Sequence, residues 1–143
     1  MFEGFEKLDI KLPDCGYGES TIQLRRGGDG PPLLLLHGNP MSHITWHKII
    51  PELQKHFHII AADLRGYGNS IGPESGGNNH INYSFRAMAS DQVAIMEKFG
   101  FTKFQVAGHD RGARTIHRMC LDYKDRIQKA AILDIMPNRY IWT

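Results

Sequence analysis

One acidic residue stands in a setting that suits nucleophilic chemistry. Asp110 lies at the centre of Gly108-His109-Asp110-Arg111-Gly112, after a predicted strand and before a predicted helix. Glycines on both sides allow a tight turn, which lifts the carboxylate above the sheet at the positive end of the helix. That position favours the anion, which is the form that attacks carbon. Aspartate is also a common helix cap, so the motif by itself leaves capping and catalysis open.

Two arginines follow this aspartate at helical spacing. Arg111 and Arg114 are three residues apart in the first turn of the predicted helix, so they share a face beside Asp110. Two guanidinium groups there can bind a substrate carboxylate through paired hydrogen bonds. Their positive charge also offsets the repulsion between that carboxylate and an anionic nucleophile. The stripe continues at Arg118, and without further support an ordinary solvated helix face is the simpler interpretation.

A third motif follows a run of four leucines. His37-Gly38-Asn39-Pro40 comes directly after residues 33–36, a predicted strand buried on both faces. We expect the His37-Gly38 turn to supply one backbone N–H of an oxyanion hole, the other coming from Arg111. An ordinary turn at a strand exit has the same composition, so this interpretation depends on the motifs meeting in space.

The elements that position these residues alternate along the chain. Strands are predicted at residues 8–12, 21–25, 33–36, 57–62, 104–107 and 130–134. Helices are predicted around Trp46 to Leu53, where Pro51 interrupts the pattern, over 85–99 with Ser84 as cap, and from the Asp110 turn to about 123. Residues 65–82 are expected to form a surface loop. This order predicts an α/β fold with a parallel sheet, and chemistry is expected beyond the carboxyl ends of its strands.

Composition narrows the class of protein further. The chain has 143 residues, which suits one domain, and a formal net charge of +2, too small to predict a nucleic-acid or membrane partner. Its two cysteines, Cys15 and Cys120, are far apart and fit reduced thiols in a cytoplasmic protein. No segment has the pattern of a signal peptide or a membrane span. We expect neither a metal nor a cofactor.

Together the motifs closely resemble the α/β-hydrolase haloacetate (fluoroacetate) dehalogenases over nearly the whole chain. The most specific matching segments are residues 1–6, residues 82–92, residues 108–112 with Arg114, and residues 133–135. The resemblance implies an α/β-hydrolase fold with a mostly parallel sheet and flanking helices. It also implies that Asp110 displaces halide to form an ester, and that Arg111 and Arg114 bind the substrate carboxylate. Asp134 matches the acid that orients a catalytic histidine, although a turn residue at a strand end would look the same.

Two features depart from that family pattern. Asn39 is similar to the asparagine of haloalkane dehalogenases, whose side-chain amide contacts the departing halide; those enzymes and epoxide hydrolases typically place tryptophan where this chain has Arg111. All eight histidines precede Asp134, whereas the resemblance implies a base after the last strand of the fold, and His109 is expected to point away from Asp110. We therefore expect residues 1–143 to form the N-terminal part of the core domain, with the base, the cap domain and the later strands beyond it.

Three hypotheses follow from the sequence. The first is a haloacetate dehalogenase with a small carboxylate substrate, impaired in this piece and a homodimer at full length. The second is a haloalkane dehalogenase or an epoxide hydrolase, which predicts that neutral substrates react and that Arg114 is dispensable. The third is a ligand-binding or degenerate protein that keeps the fold and performs no chemistry.

Overall fold

A computed structural model describes residues 1–141, which form a six-stranded sheet. The strands are β1 (Glu6–Leu12), β2 (Ser20–Gly27), β3 (Pro32–Leu36), β4 (His58–Ala62), β5 (Phe104–His109) and β6 (Ile127–Leu133), in the spatial order β1-β2-β4-β3-β5-β6. Strands β3 to β6 are parallel, as predicted, whereas β2 pairs antiparallel with both β1 and β4. The β1–β2 connection is too short for a crossover, so these strands form a hairpin.

The helices are α1 (Ile50–Leu53), α2 (Phe85–Lys98), α3 (Arg111–Asp122) and α4 (Asn138–Ile141), with 3₁₀ turns at His43–Trp46 and Asn78–Tyr83. The predicted helix around Trp46 to Leu53 is interrupted, as the position of Pro51 predicted: Trp46 ends a 3₁₀ turn and a separate helix follows. Pro51 occupies the first turn of a new helix, α1, where its missing N–H has no cost. The start of α2 is as predicted, because Ser84 Oγ accepts a hydrogen bond from the Ala87 N–H at 3.1 Å.

Strand β3 shows why the sheet needs apolar residues on both faces. Leu34 and Leu36 lie in a core that also contains Met88 of α2 and Ile116 of α3. The alternate residues of the same strand, Leu33 and Leu35, lie in a second core on the opposite face. That second core is completed by Phe2, Trp46, Ile50, Ile59 and Ala61. The run of leucines is therefore a central strand buried on both sides.

Strand β6 forms one edge of the described sheet. Its outer residues are exposed, among them Ile132 and Leu133 at 39% and 45%. In residues 1–141, no helix is both long enough and apolar enough to cross a membrane.

Candidate active site

The predicted sharp turn is present between β5 and α3. Asp110 has φ 49° and ψ −113°, a conformation that residues with side chains rarely adopt, and it directly precedes the first residue of α3. Its side chain forms no capping hydrogen bond to the helix. The strained backbone therefore serves to present the carboxylate, and the capping interpretation is not supported.

Three glycines make room for this arrangement. A Cβ atom at Gly108 would lie 2.6 Å from Ile116 Cδ1, and one at Gly112 would meet the backbone oxygens of Leu36 and His37. At Gly38 a Cβ atom would lie 2.7 Å from the Asp110 Cβ. These positions hold β3, β5 and α3 close enough for the turn after β3 to touch the Asp110 turn.

The Asp110 carboxylate is held by backbone donors. The Asn39 N–H donates to Asp110 Oδ2 at 2.9 Å. Partial burial alone would raise the pKa of Asp110, but the N–H groups of Asn39 and Arg111, with the charges of His109 and Arg111, outweigh it. The pKa of Asp110 is therefore below its ordinary value. The carboxylate is an anion near neutral pH, and the two predicted N–H donors converge on it.

A cavity of about 660 Å³ opens above the carboxylate, a volume suited to a small-molecule ligand. Its walls are Asn39, Phe85, His109, Asp110, Arg111, Arg114 and Asp134. Arg111 is exposed and Arg114 is half-buried, so both predicted carboxylate-binding residues line the same space as Asp110. The adjoining space of about 500 Å³ also contacts Asp110, Arg114 and Asp134.

His109 does not point away from the site, and this prediction is wrong. Its Nε2 lies 3.4 Å from Asp134 Oδ2, and its ring is on the cavity wall. Asp134 follows the end of β6 with φ 58° and an 85% exposed side chain. The pairing of β5 with β6 brings the two residues together, because His109 and Leu133 are register partners.

The turn after β3 is anchored from below by a buried polar cluster. His37 is fully buried, and its ring bonds to the Gly38 oxygen at 2.8 Å and to the Leu64 N–H at 3.0 Å. Burial lowers the pKa of His37, although the Gly38 carbonyl and the charge of Asp63 oppose this. Asp63 accepts hydrogen bonds from the His43 N–H and from His43 Nδ1. His37 thus shapes the turn without reaching the cavity.

Two residues of the cavity wall, Phe85 and His109, were not predicted from the sequence. Phe85, the first residue of α2, is half-buried: it packs against the core and also lines the cavity. The sequence offered one signal for the role of Phe85 in the cavity. Phe85 directly follows the capping Ser84, at the end of α2 that lies nearest the site. His109 was missed because the direction of a side chain in so tight a turn depends on its neighbours in space.

Two other features of the described residues carry no chemistry of this kind. A cleft of about 680 Å³ between β2 and the segment Ile71 to Glu74 contains Lys11, Glu19 and Ser20 but none of the motifs above. Across residues 1–141, no group of three or more histidine, cysteine, aspartate or glutamate side chains is arranged to hold a metal ion.

One class of protein combines these features: a strained turn from β5 into α3, backbone amides of Asn39 and Arg111 beside its apex, and the parallel strands β3 to β6. The α/β-hydrolase fold family model matches residues 31–142. The chain belongs to the α/β-hydrolase fold family.

Within this family, the chain is similar to curated enzymes of two kinds. The chain is 50% identical to a fluoroacetate dehalogenase from a Burkholderia species over 138 residues, covering 96% of the chain and 43% of that protein. It is 38% identical to a soluble epoxide hydrolase from Corynebacterium sp. (strain C12) over 111 residues, covering 78% of the chain and 37% of that protein. The predicted resemblance to α/β-hydrolase dehalogenases is confirmed, and the chain spans less than half the length of these relatives.

Solved structures agree with the fold. A proposed α/β hydrolase from Nostoc sp. PCC 7120 superposes with a TM-score of 0.92 at 48% identity, over 99% of this chain and 47% of that one. An epoxide hydrolase from Vigna radiata superposes with a TM-score of 0.82 at 27% identity, over 94% and 41% of the two chains.

Proposed function

We propose that the protein hydrolyses the carbon–halogen bond of haloacetates, with Asp110 as the nucleophile. One observation carries the proposal: an anionic carboxylate at the apex of a strained turn shares its cavity with Arg111 and Arg114. A neutral substrate has no need of two guanidinium groups, whereas a substrate carboxylate can bind them through charge-assisted hydrogen bonds. The 50% identity to a fluoroacetate dehalogenase supports the same substrate class.

The proposed reaction has two steps. An oxygen of Asp110 attacks the carbon that bears the halogen, the C–O bond forms as the C–halogen bond breaks, and the bonding electron pair leaves with the halide. Water then adds to the carbonyl carbon of the resulting Asp110 ester, and the N–H groups of Asn39 and Arg111 stabilise the oxyanion. Collapse releases glycolate and regenerates the Asp110 carboxylate. Asp134 is proposed to orient the histidine base that the family resemblance implies.

A second candidate is the hydrolysis of a neutral epoxide or haloalkane. The identity to a soluble epoxide hydrolase favours it, as does Asn39 on the cavity wall. The same Asp110 would open an epoxide ring and form the same kind of ester. The two candidates differ in the arginines, because only a carboxylate substrate requires them.

Intact mass tests the first step. The purified chain is incubated with fluoroacetate or chloroacetate, and its mass is recorded after circular dichroism has shown that it is folded. We expect a single added carboxymethyl group, located at Asp110 by peptide mapping and absent from Asp110→Asn. Cys15 is exposed and can form a thioether with chloroacetate, so the variants carry Cys15→Ser.

The controls separate an ester from other adducts. Hydroxylamine cleaves an ester and leaves a thioether intact, so the Asp110 adduct must disappear on that treatment. Asp125→Asn removes an exposed carboxylate outside the cavity and must leave the adduct unchanged. A folded chain that gains no ester from either haloacetate would argue against the proposal, and ester formation from a neutral epoxide alone would favour the second candidate.

A further inference from the structure

A single peptide unit connects the buried cluster to the nucleophile. The Gly38 oxygen accepts hydrogen bonds from His37 Nδ1 at 2.8 Å and from the Met41 N–H at 2.9 Å. The N–H of the same peptide unit, that of Asn39, donates to Asp110 Oδ2 at 2.9 Å. In a planar trans peptide the C=O and the N–H point in opposite directions. Whatever fixes the Gly38 carbonyl therefore also aims the Asn39 N–H.

The contacts of His37 determine which ring nitrogen carries the proton. Its Nε2 lies 3.0 Å from the Leu64 nitrogen, and a backbone N–H can only donate, so Nε2 must accept. A neutral ring then has its proton on Nδ1, from which it donates to the Gly38 oxygen. A proton on Nε2 would face the Leu64 N–H directly and break that contact.

The surroundings of His37 keep this arrangement rigid. The ring is fully buried, and the Tyr67 ring lies edge-on to it with centroids 5.5 Å apart. Asp63 Oδ1 is 4.0 Å from His37 Nε2, but it is engaged by the His43 N–H at 2.6 Å and by His43 Nδ1 at 2.8 Å. The His37 ring is thus held between Leu64 on one side and the Gly38 carbonyl on the other.

We propose that His37 is a positioning residue: its Nδ1–H holds the Gly38–Asn39 peptide so that the Asn39 N–H faces the Asp110 carboxylate. Without that donor only the Met41 N–H holds the Gly38 oxygen, so the peptide is less firmly fixed and the hydrogen bond from Asn39 to Asp110 is weakened. The inference rests on the proposed function only in treating Asp110 as the nucleophile. The contacts of His37 exist whichever substrate is used.

Two substitutions at position 37 separate this role from simple packing. In His37→Asn the side-chain amide nitrogen replaces Nδ1 and keeps the donor to Gly38. In His37→Gln the side chain reaches the Nε2 position, keeps a partner for Leu64 and loses the Nδ1 donor. Glutamine is the larger residue, so a role in packing alone predicts that His37→Gln is the milder change. The proposal predicts the reverse order.

The readouts use the 143-residue chain and NMR. Long-range ¹H–¹⁵N correlations of the His37 ring should identify the Nδ1–H tautomer in the unsubstituted chain, and an Nε2–H tautomer would overturn the proposal before any variant is made. A carboxyl titration should show that His37→Gln raises the pKa of Asp110 by roughly one pH unit, the effect of one lost hydrogen bond to a charged group. His37→Asn should leave that pKa near its original value. His56→Gln, at an exposed histidine outside the cavity, serves as the control.

Ester formation with chloroacetate supplies the second readout. We expect His37→Gln to slow the formation of the Asp110 ester by about tenfold, equivalent to one hydrogen bond, and His37→Asn to slow it much less. Equal values of both readouts in the two variants would overturn the inference. If the unsubstituted chain forms no ester while the NMR results follow the predicted order, the proposed function fails and the positioning role of His37 stands. If an ester forms at equal rates in the two variants, the positioning role of His37 fails and the proposed function stands.

Discussion

At the scale of single residues, two opposed demands meet at Asp110. In the proposed reaction, the carboxylate must be an anion to attack carbon, and it must accept an anionic substrate beside it. The amides of Asn39 and Arg111 satisfy the first demand by stabilising the charged form. The cationic side chains of Arg111 and Arg114 on the same cavity wall can satisfy the second. Neutral backbone donors thus serve the Asp110 carboxylate, and side-chain cations serve the substrate. This division suits the proposed reaction, in which the substrate carries the second negative charge.

The arginines give a prediction at this scale. Arg114→Ala is expected to slow ester formation with chloroacetate by about 10- to 100-fold, because one charge-assisted contact contributes roughly 1.5 to 3 kcal/mol. The neutral analogue chloroacetamide should react at a nearly unchanged rate. Rates are measured by intact mass, with Lys124→Ala as the control on an exposed cation. Equal slowing with both reagents would mean that Arg114 does not recognise the substrate carboxylate.

At the scale of secondary-structure elements, the position of α3 decides where Asp110, Arg111 and Arg114 point. This helix packs on β5 through Ile116 and Met119 and lies beside α2. Asp122 joins the two helices near the surface, since it accepts hydrogen bonds from Arg86 of α2 at 2.9 Å and from Arg118 of α3. The Arg118 hydrogen bonds, with the Arg86 contact, lower the pKa of Asp122 to about 2. The ionised carboxylate therefore favours the folded state.

This pairing predicts a defined pH dependence. The pKa of Asp122 is lower in the folded than in the unfolded chain, so its stabilisation is complete above about pH 4 and is lost as the pH falls towards 2. Asp122→Asn should lower the free energy of unfolding at pH 7 by less than about 1 kcal/mol, because the group lies near the surface. Urea denaturation at pH 7, 4 and 2.5 measures this, and the difference between the two proteins should shrink at the lowest pH. A difference that grows on acidification would contradict the assignment.

At the scale of the whole molecule, one buried ion pair connects three distant segments. Arg65 and Asp91 are 1% and 3% exposed, and the guanidinium forms two hydrogen bonds of 2.7 Å to the carboxylate. Arg65 also donates to the backbone oxygens of Tyr17 and Asn82, and Ser20 donates to Asp91. The β1–β2 hairpin, the loop after β4 and helix α2 therefore meet at this pair. The loop of residues 65–82, predicted only as a surface segment, is anchored here at both ends.

Removal of one partner should be costly. Asp91→Asn leaves the Arg65 charge buried without its counter-charge and is expected to reduce the free energy of unfolding by about 3 to 5 kcal/mol. The double variant Arg65→Met with Asp91→Leu replaces both charges by apolar groups and should recover most of the loss. Urea denaturation at pH 7 compares them, with Asp125→Asn as an exposed control. If Asp91→Asn lowers the free energy of unfolding by less than about 1 kcal/mol, water reaches Arg65, and the ion pair does not stabilise the contact between these three segments.

The sequence by itself determined those features that depend on neighbours within one turn or one strand. These local features act over at most a few residues and were located from the pattern of the sequence. They are the glycines around Asp110, the spacing of Arg111 and Arg114, the Ser84 cap and the leucine run of β3. The identity of the fold followed because these local signals occur in one order along the chain.

Only the tertiary structure decided which distant groups meet. The Asn39 N–H reaches Asp110 across 71 residues because β3 and β5 are adjacent in the sheet. His109 turns towards Asp134 because β5 pairs with β6, and His37 turns inwards because Leu64 offers a buried donor. Backbone propensities and hydrophobic periodicity report the local conformation and which face of an element is buried. They do not report strand order or side-chain direction at a strained turn, since these depend on how the whole core packs.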